Sequence, residues 1–228
     1  GDRVGMVVKH PPLPRPNTLT AAERAAGWEL LFDGETTEGW RNFRSDAISD
    51  GWRIIDGALT RVAPAGDIIT EREFDNFELS LEWKIEPGGN SGIFYHVSED
   101  MPAVWSTGPE MQILDTAMPS DGDNPFTSTG ACYALYAPPR DASYPPGSWN
   151  EARIEVRGPR VRFVLNGEEI VTYTEGSPDW NDRVARSKFA AMPRFGRNDR
   201  GHIALQDHGD RVAFRNIKIR PLPGSSAE

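Results

Sequence analysis

The stretch FELSLEWKI, residues 77–85, has the clearest alternation of apolar and polar residues in the chain. Its apolar positions are Phe77, Leu79, Leu81, Trp83 and Ile85, and its polar positions are Glu78, Ser80, Glu82 and Lys84. Because successive side chains of a β-strand point to opposite faces, this pattern predicts a strand with one face in a core and the other in solvent. Half-buried strands of this kind are typical of antiparallel sheets. The stretch therefore favours an antiparallel β fold.

Further short apolar segments lie on both sides of this strand and are separated by turn residues. Asp56-Gly57 and Asn166-Gly167 are dipeptides typical of two-residue hairpin turns. Residues 153–174 are predicted to form a three-strand meander, and residues 131–136 (ACYALY) are predicted to form another strand. The whole chain predicts about 12 to 14 short strands, and two packed sheets bury one face of each. The predicted fold class is therefore all-β, a two-sheet antiparallel jelly-roll sandwich with short helical turns.

The two ends of the chain differ in composition from its middle. Residues 9–17 (KHPPLPRPN) contain four prolines, which predicts an extended arm. Thr20 and Glu23 have the spacing of a capping box and Gly27 is a typical stop, so a short helix is predicted between them. An all-β sandwich of 228 residues often forms one domain. We predict an arm and short helix over residues 1–27, a jelly-roll domain over residues 28–220, and a tail over residues 221–228.

Composition excludes several classes of partner. The chain has 25 Lys and Arg against 34 Asp and Glu, a net charge of −9, so it lacks the basic surface that binds nucleic acid or an anionic membrane. No apolar run approaches the roughly 20 residues that a membrane span needs. Cys132 is the only cysteine, which excludes an internal disulfide and predicts a small buried residue. We therefore expect no nucleic acid partner and no membrane span, and the oligomeric state stays open.

A second strand carries polar residues of a different kind. In residues 109–115 (PEMQILD), Met111 and Ile113 share one face, and Glu110 and Gln112 share the other. Sandwiches of this kind often curve, which turns the outer face of one sheet into a groove. Aromatic rings stack on the C–H faces of sugars, while carboxylates and amides bind their hydroxyl groups. The strand is therefore predicted to line a carbohydrate-binding groove.

Six motifs follow one another along the chain: residues 28–34 (WELLFDG) with 39–40 (GW), 89–94 (GNSGIF), 110–115 (EMQILD), 149–150 (WN), 165–167 (LNG) and 201–209 (GHIALQDHG). In this order, from about Trp28 to Arg220, they resemble the 3-keto-disaccharide hydrolase family, long described as a domain of unknown function. The resemblance implies a concanavalin A-like jelly roll, frequent export to the periplasm or the medium, and action on glycosides already oxidised at C3. It implies no settled set of catalytic residues.

The chemistry that this resemblance implies sets requirements for a site. A ketone at C3 acidifies the C2 proton, so a base can remove that proton and the group on C1 can leave by elimination, after which water adds back. The site then needs a base near C2, a donor for the developing enolate oxygen, and an acid for the leaving group. Glu110 and His208 are the predicted base and acid.

The remaining candidates are predicted to bind the substrate. Amides and a guanidinium can donate to the enolate or to hydroxyl groups, exposed aromatic rings can stack on a sugar, and an acid beside His208 can assist it. The predicted substrate-binding residues are Gln112, Asn90, Arg153, Trp105, Tyr133 and Asp207.

The spacing of Glu110, Gln112 and Asp115 is also similar to the E-x-D-x-x-E strand of laminarinases and lichenases. Here the middle acid is an amide and the last acid is shorter by one methylene. These departures put in doubt a double displacement by two carboxylates about 5 Å apart. In a regular strand Asp115 also faces away from Glu110, so Asp115 either caps the following turn or reaches the site through a bulge.

Several candidates have ordinary structural interpretations as well. Glu110 also fits the pattern of a solvent-facing strand acid, and Arg153 that of a partner in cross-strand ion pairs. Asn90 lies in a Gly-rich turn, where Asn often serves for its tolerance of left-handed backbone. Residues 207–210 (DHGD) have the composition of a hairpin turn.

Metal binding has little support in the sequence. The four His are scattered and there is no paired-Cys spacing, so we predict no metal and no cofactor; residues 121–124 (DGDN) leave open a structural Ca²⁺.

Two functions remain, and both predict a carbohydrate partner. One is a glycoside-cleaving enzyme acting on 3-keto sugars, and the alternative is a non-catalytic carbohydrate-binding domain that uses the same groove.

Overall fold

The computed structural model of the protein describes residues 14–118 and 121–224. This part of the chain forms thirteen strands and two short α-helices. The strands are β1 (Glu29–Leu30), β2 (Trp40–Asn42), β3 (Trp52–Ile55), β4 (Ala58–Arg61), β5 (Ile68–Phe74), β6 (Phe77–Ile85), β7 (Asn90–Val97), β8 (Glu110–Leu114), β9 (Asn150–Arg157), β10 (Arg160–Leu165), β11 (Glu168–Thr174), β12 (Gly201–Leu205) and β13 (Val212–Pro221). The helices are α1 (Ala21–Ala25) and α2 (Pro178–Ala185), with 3₁₀ helices at Val104–Ser106 and Lys188–Ala191.

The strands form two antiparallel sheets. The eight-stranded sheet has the order β11-β10-β9-β6-β13-β4-β3, with β1 added beside β13. The five-stranded sheet has the order β2-β5-β12-β7-β8. The predicted all-β, two-sheet jelly roll with short helical turns is confirmed.

Strand β6 behaves as its alternation predicts. Its five apolar side chains are all at most 3% exposed and belong to the main core cluster. That cluster also takes the inward residues of the five-stranded sheet, including Ile93, Met111 and Ile113. Burial of apolar side chains from both sheets is what holds the sandwich together.

The predicted hairpins are present. Asp56 and Gly57 have φ of +50° and +73°, and Asn166 and Gly167 have φ of +49° and +80°. Both central residues of a type I′ turn need this left-handed backbone, which Asn, Asp and Gly tolerate best. The first dipeptide joins β3 to β4, and the second joins β10 to β11 in the β9-β10-β11 meander.

The predicted N-terminal helix is confirmed as α1. The Thr20 hydroxyl accepts from the Glu23 N–H, and the Glu23 carboxylate accepts from the Thr20 N–H. Gly27 follows with φ of +93°. The Lys218 ammonium, on β13, lies 2.7 Å from the Glu23 carboxylate and ties the helix to the eight-stranded sheet.

Part of the predicted terminal segments lies outside the described residues, namely residues 1–13 of the N-terminal segment and residues 225–228 of the tail. The division at residues 27 and 220 stays a prediction. In the part of the chain that the structure describes, no helix is both long enough and apolar enough to cross a membrane.

Two local features differ from what the sequence suggests. Residues 131–136 form no strand, because Ala134 adopts φ of +65° and Cys132 closes a tight turn with Tyr136. The 207–210 segment has the composition of a hairpin turn but is not one, since it carries the chain from β12 in one sheet to β13 in the other. The prediction that Cys132 is buried and unpaired is confirmed.

A candidate active site on the outer face of the five-stranded sheet

Strand β8 presents Glu110 and Gln112 on the outer face of the five-stranded sheet, because Met111 and Ile113 fill the core on the other face. Beside it on β7, Gly92 is in register with Gln112. A small second apolar cluster covers the neighbouring outer surface and consists of Ile69, Phe94, Val97, Val104 and Ala204. The outer face therefore combines a polar strip with an apolar wall.

The loop after β8 folds back along this strand. The Tyr133 N–H donates to the Glu110 carbonyl at 3.0 Å, and the Gly130 N–H donates to the Gln112 carbonyl at 2.8 Å. These bonds use the free edge of β8, since β8 is the last strand of its sheet. They also place the Tyr133 side chain at the rim of the polar strip.

A cavity of about 280 Å³ opens on this face. Its volume is close to the lower end of the roughly 300–1,000 Å³ range of small-molecule sites, a size suited to a small sugar. Six residues that the sequence analysis selected line it together: Glu110, His208, Gln112, Asn90, Trp105 and Tyr133. They come from β7, β8, two loops and the crossover after β12, so the fold and not the sequence spacing brings them together.

Glu110 is the most perturbed acid of this cavity. Its side chain is buried, and burial raises the pKa of Glu110 to about 8. The positive charge of Lys188 opposes this shift, and the negative charge of Asp67 adds to it. Within the described residues, no N–H or O–H group donates to the Glu110 carboxyl group. A carboxyl group that is buried without a donor or a paired cation is costly to ionise and is therefore a functional candidate.

Gly92 makes room for the Glu110 side chain. A Cβ atom added to Gly92 would lie 2.5 Å from Glu110 Oε1 and 2.8 Å from its carboxyl carbon. A Cβ atom does not approach unbonded heavy atoms this closely, so any larger residue at position 92 would displace the carboxyl group. The sequence signal GNSGIF is thus explained in part by this close approach.

Two amide oxygens in the cavity lack a donor. Gln112 Nε2 donates to the Thr127 carbonyl at 3.0 Å, which fixes the amide, but its Oε1 is buried and has no partner among the described residues. Gln206 Oε1 is likewise buried and has no hydrogen-bond partner among the described residues. Buried acceptors are normally satisfied, so these two oxygens are suited to accept hydrogen bonds from the hydroxyl groups of a bound molecule.

His208 is exposed and lies in the crossover after β12, which Asp207 anchors. The Asp207 carboxylate accepts from Arg61 Nε at 2.7 Å and from the N–H groups of Ala65 and Gly66 at 2.8 and 2.9 Å. Burial alone raises the pKa of Asp207, but these donors outweigh it and hold the pKa below its ordinary value. Asp207 does not line the cavity, so it positions the crossover instead of binding substrate there.

Asp67 is a perturbed acid that the sequence analysis missed. Burial raises the pKa of Asp67 to about 6, against the hydrogen bond that it accepts from the Asp207 N–H at 2.7 Å. The charges of Asp67 and His208 influence each other, as do those of Asp67 and Glu110. Asp67 does not line the cavity, but its charge influences both predicted catalytic residues.

The structure places Arg153 away from the cavity. It lies on β9, on the outer face of the eight-stranded sheet, where its Nε is 2.9 Å from Glu151 and its guanidinium is 6.0 Å from the ring centroid of Trp28. Arg153 thus forms an ion pair, but with a residue of its own strand and not across strands, and it does not line the cavity.

Two other sequence interpretations are resolved by backbone geometry. Asp115 accepts from the N–H groups of Gly88 and Ala117 at 2.9 and 3.0 Å, so it caps the turn and does not line the cavity. Asn90 is the first residue of β7 and has no positive φ, so left-handed backbone does not explain its presence.

Five further residues line the cavity that the sequence analysis did not select: Gly108, Asp121, Lys188, Phe189 and Gln206. Gln206 could have been found, because it continues the period-two pattern of His202 and Ala204 beyond the end of β12. Lys188 and Phe189 lie on a 3₁₀ helix far along the chain, and no pattern in the sequence marks them.

Phe189 begins a column of stacked aromatic rings that leads away from the cavity. The ring centroids of Phe189 and Phe195 are 3.9 Å apart. The centroid of Phe195 lies 6.0 Å from that of Trp180, and the centroid of Trp180 lies 5.1 Å from that of Tyr173. The planes differ by at most 19° along this column. The column supports one wall of the cavity from within the core.

The residues that the structure describes contain no group of three or more His, Cys, Asp or Glu side chains placed to hold a metal ion. What the cavity offers is a buried acid, an exposed histidine, a lysine, unpartnered amide oxygens and aromatic walls. These groups suit proton transfer on a neutral polyhydroxylated molecule.

Known proteins show matching sequences and folds. The profile of a family described as 3-keto-alpha-glucoside-1,2-lyase-like domain matches residues 27–220. A 3-keto-disaccharide hydrolase of Bacteroides thetaiotaomicron is 34% identical over 231 residues, which cover 87% of this chain and 79% of that protein. A crystal structure from Parabacteroides distasonis, of a protein thought to be a glycosyl hydrolase, is 36% identical, covers 92% of this chain and 100% of its own, and superimposes with a TM-score of 0.86. The carbohydrate-binding module CBM66 of Bacillus subtilis, at 10% identity, 80% and 95% coverage and a TM-score of 0.50, shares the fold alone.

Proposed function

The chain belongs to the 3-keto-alpha-glucoside-1,2-lyase-like family, and we propose that it cleaves the glycosidic bond of glycosides or disaccharides that carry a ketone at C3. The observation that carries the proposal is Glu110, a buried carboxyl group with a pKa raised to about 8 in a cavity lined with sugar-binding groups. The name of the Bacteroides relative supports this class of substrate.

Glu110 starts the proposed reaction as the base. Its carboxylate removes the proton from C2, and the C–H electron pair becomes the enolate of C2 and C3. A base is most effective when its pKa approaches that of the acid it deprotonates, so the raised pKa of Glu110 strengthens it for a weak carbon acid. Burial thus supplies the property that an ordinary surface glutamate lacks.

His208 completes the elimination as the acid. The enolate re-forms the C3 ketone as the bond from C1 to the leaving oxygen breaks, and His208 donates its proton to that oxygen. This yields the free alcohol and a 3-keto sugar with a C1–C2 double bond. The carboxyl proton of Glu110 exchanges with solvent while the unsaturated sugar is bound. Water then adds its hydroxyl to C1, Glu110 delivers a solvent-derived proton to C2, and His208 takes the second proton of water, so both residues regain their initial states.

The binding residues divide the remaining work. Asn90, Gln112 and Gln206 face the hydroxyl groups, and the unpartnered oxygens of the two glutamines select hydrogen-bond donors. Trp105, which is 42% exposed, and Tyr133 offer ring surfaces for stacking. On β8 itself the second acid of an ordinary glycosidase pair is replaced by Gln112, which favours elimination over double displacement.

The experiment compares 3-keto glycosides with their unoxidised parents in D₂O. The proposal expects release of the alcohol from the 3-keto glycosides alone, with deuterium at C2 of the sugar product. Release from unoxidised glycosides without deuterium at C2 would indicate double displacement. Binding of sugars without any release would indicate the non-catalytic carbohydrate-binding domain and would end the enzyme proposal.

A further inference from the structure

The proposed reaction, on which this inference rests, places a negative charge on the C3 oxygen. The sequence analysis expected amides or Arg153 to meet that charge, but Arg153 lies on the opposite sheet. Lys188 lines the cavity instead. We propose that Lys188 is a catalytic residue whose ammonium binds the C3 oxygen of the 3-keto sugar and stabilises the enolate.

The backbone of Lys188 is held firmly. It is the first residue of the 3₁₀ helix Lys188–Ala191, whose N-terminus is capped by the Ser187 hydroxyl, which accepts from the Phe189 N–H at 3.1 Å. Phe189 is 3% exposed and stacks on Phe195. The lysine stem therefore projects from a fixed base toward the cavity, as electrostatic catalysis requires of a preorganised group.

Aromatic rings hold the Lys188 ammonium. Its Nζ lies 4.6 Å from the ring centroid of Tyr133, 5.6 Å from that of Phe189 and 5.9 Å from that of Trp105. A cation held over ring faces keeps its N–H groups available for an oxygen acceptor. Within the described residues Lys188 has no carboxylate partner, whereas Lys218 Nζ lies 2.7 Å from Glu23. Lys188 is thus a cation in the cavity that is free to bind a substrate oxygen.

The relation of Lys188 to Glu110 fits the geometry of the reaction. Both side chains line the same cavity without forming an ion pair with each other, so atoms of a substrate can lie between them. The C2 proton and the C3 oxygen belong to adjacent carbons, so a base and a cation acting on them must lie near each other without touching. The charge of Lys188 also lowers the pKa of Glu110, which shows that the two groups interact across the cavity.

The test uses Lys188→Met, Lys188→Arg and a matched control. Lys84→Met is the control, because Lys84 Nζ also lies over a ring, 4.8 Å from the centroid of Trp149, but on the other sheet. We expect Lys188→Met to lower kcat on a 3-keto glycoside by about 100-fold or more and Lys188→Arg to recover part of that loss, since Arg keeps the charge. Lys84→Met is expected to stay within about twofold of the unmodified enzyme, by the additivity of distant sites.

A second readout separates catalysis from simple packing. Loss of the Lys188 charge removes a stabilising influence on the Glu110 carboxylate, so the midpoint of the rise of kcat/KM with pH is expected to move above about 8 in Lys188→Met. The rate of deuterium uptake at C2 is expected to fall in parallel with kcat. If Lys188 served only in packing, Lys188→Met would leave the pH midpoint of kcat/KM unchanged. The Met and Arg variants would then also have similar kcat values.

The outcomes separate this inference from the proposed function. An unmodified enzyme that releases no alcohol from any 3-keto glycoside overturns the proposed function. An active enzyme whose Lys188→Met variant keeps its kcat overturns the role of Lys188 alone. Borohydride reduction in the presence of substrate gives a second check, since a covalent adduct on Lys188 would show an imine at C3 in place of a bound ammonium.

Discussion

The outer faces of the two sheets arise from the same alternating pattern but differ in how their acids are partnered. On the eight-stranded sheet, Glu78 lies 2.7 Å from Arg220, Glu82 lies 3.2 Å from Arg215, and Glu151 pairs with Arg153. On the five-stranded sheet, Glu110 is buried and has no paired cation among the described residues. The comparison shows that Glu110 differs from these acids in its lack of a paired cation and not in its polarity.

Cavity size alone would favour the outer face of the other sheet. The outer face of the eight-stranded sheet has a depression of about 560 Å³, twice the volume of the cavity of about 280 Å³ that holds Glu110. The larger depression is lined by residues such as Glu155 and Arg157, which pair with each other at 3.0 Å. Charged groups that already form ion pairs with each other have few free hydrogen-bonding positions for a ligand.

The largest effect is expected when the unpaired acid Glu110 is replaced. A paired acid, Glu82, is replaced in a separate variant as the control. Glu110→Gln is expected to lower kcat on a 3-keto glycoside by about 10³-fold or more, because the amide cannot accept the C2 proton. Glu82→Gln on the other sheet is expected to stay within about twofold. Steady-state kinetics of both variants test this. Similar losses in both would erase the distinction between the two faces.

A smaller loss is expected when the space for Glu110 is removed. In Gly92→Ala the new methyl group would meet the carboxyl group at 2.5 Å, and a displacement of about 1 Å can cost about 100-fold in rate. Adding Glu110→Asp shortens the acid and is expected to restore part of the activity. Kinetics of the single and double variants, with circular dichroism to verify folding, check the contact. A double variant no better than Gly92→Ala would contradict it.

The pH dependence of kcat/KM tests whether Glu110 acts as the base or as the acid. As a base Glu110 must be ionised in the free enzyme. On a 3-keto glycoside whose leaving group departs without help from an acid, the protonation of His208 does not limit the rate, so kcat/KM is expected to rise with pH about tenfold per unit below a midpoint near 8. The pH profile of kcat/KM on a 3-keto glycoside measures this. A rate that falls through the same midpoint would exchange the roles of Glu110 and His208.

The free energy of unfolding is also expected to depend on pH because of Glu110. The raised pKa means that the folded state binds the Glu110 proton more tightly than the unfolded state, so this contribution is complete below about 4.5 and is lost as pH rises through about 8. Relative to the unmodified protein, Glu110→Gln should gain roughly 2–4 kcal/mol between pH 4 and pH 9. Urea unfolding at both pH values measures the gain, and a constant difference would contradict it.

The smallest effect is expected on the paired face. Arg153→Gln removes an ion pair whose Arg and Glu151 side chains are 47% and 45% exposed, and such surface pairs contribute about 0–1 kcal/mol. We expect unchanged kcat/KM and a change in unfolding free energy within about 0.5 kcal/mol. Activity loss in this variant would return Arg153 to the site.

The sequence predicts well those features that local chemistry decides. The alternation of β6, the two I′ turn dipeptides and the capping box of α1 all have local causes, and each is present. The same alternation on β8 placed Glu110 and Gln112 on one face, where the structure finds them beside one cavity.

Features that depend on distant parts of the chain could not be predicted in this way. A turn between paired strands and a crossover between sheets use the same residues, so 207–210 was misread. Alternation does not tell which sheet a strand joins, so it does not reveal that Arg153 lies on the sheet opposite the cavity. Lys188 is 78 positions from Glu110 and lies in no repeating pattern, so tertiary packing alone brings it to the cavity.

The aromatic column behind the cavity also gives the protein an optical reporter. Trp105 is 42% exposed in the cavity wall, whereas Trp180, within the column, is 4% exposed. A sugar that stacks on Trp105 shields its indole from water and changes its fluorescence, while the buried tryptophans, Trp180 among them, contribute a constant background. Occupancy can therefore be followed by light, without a label and without turnover, even in variants that can no longer react.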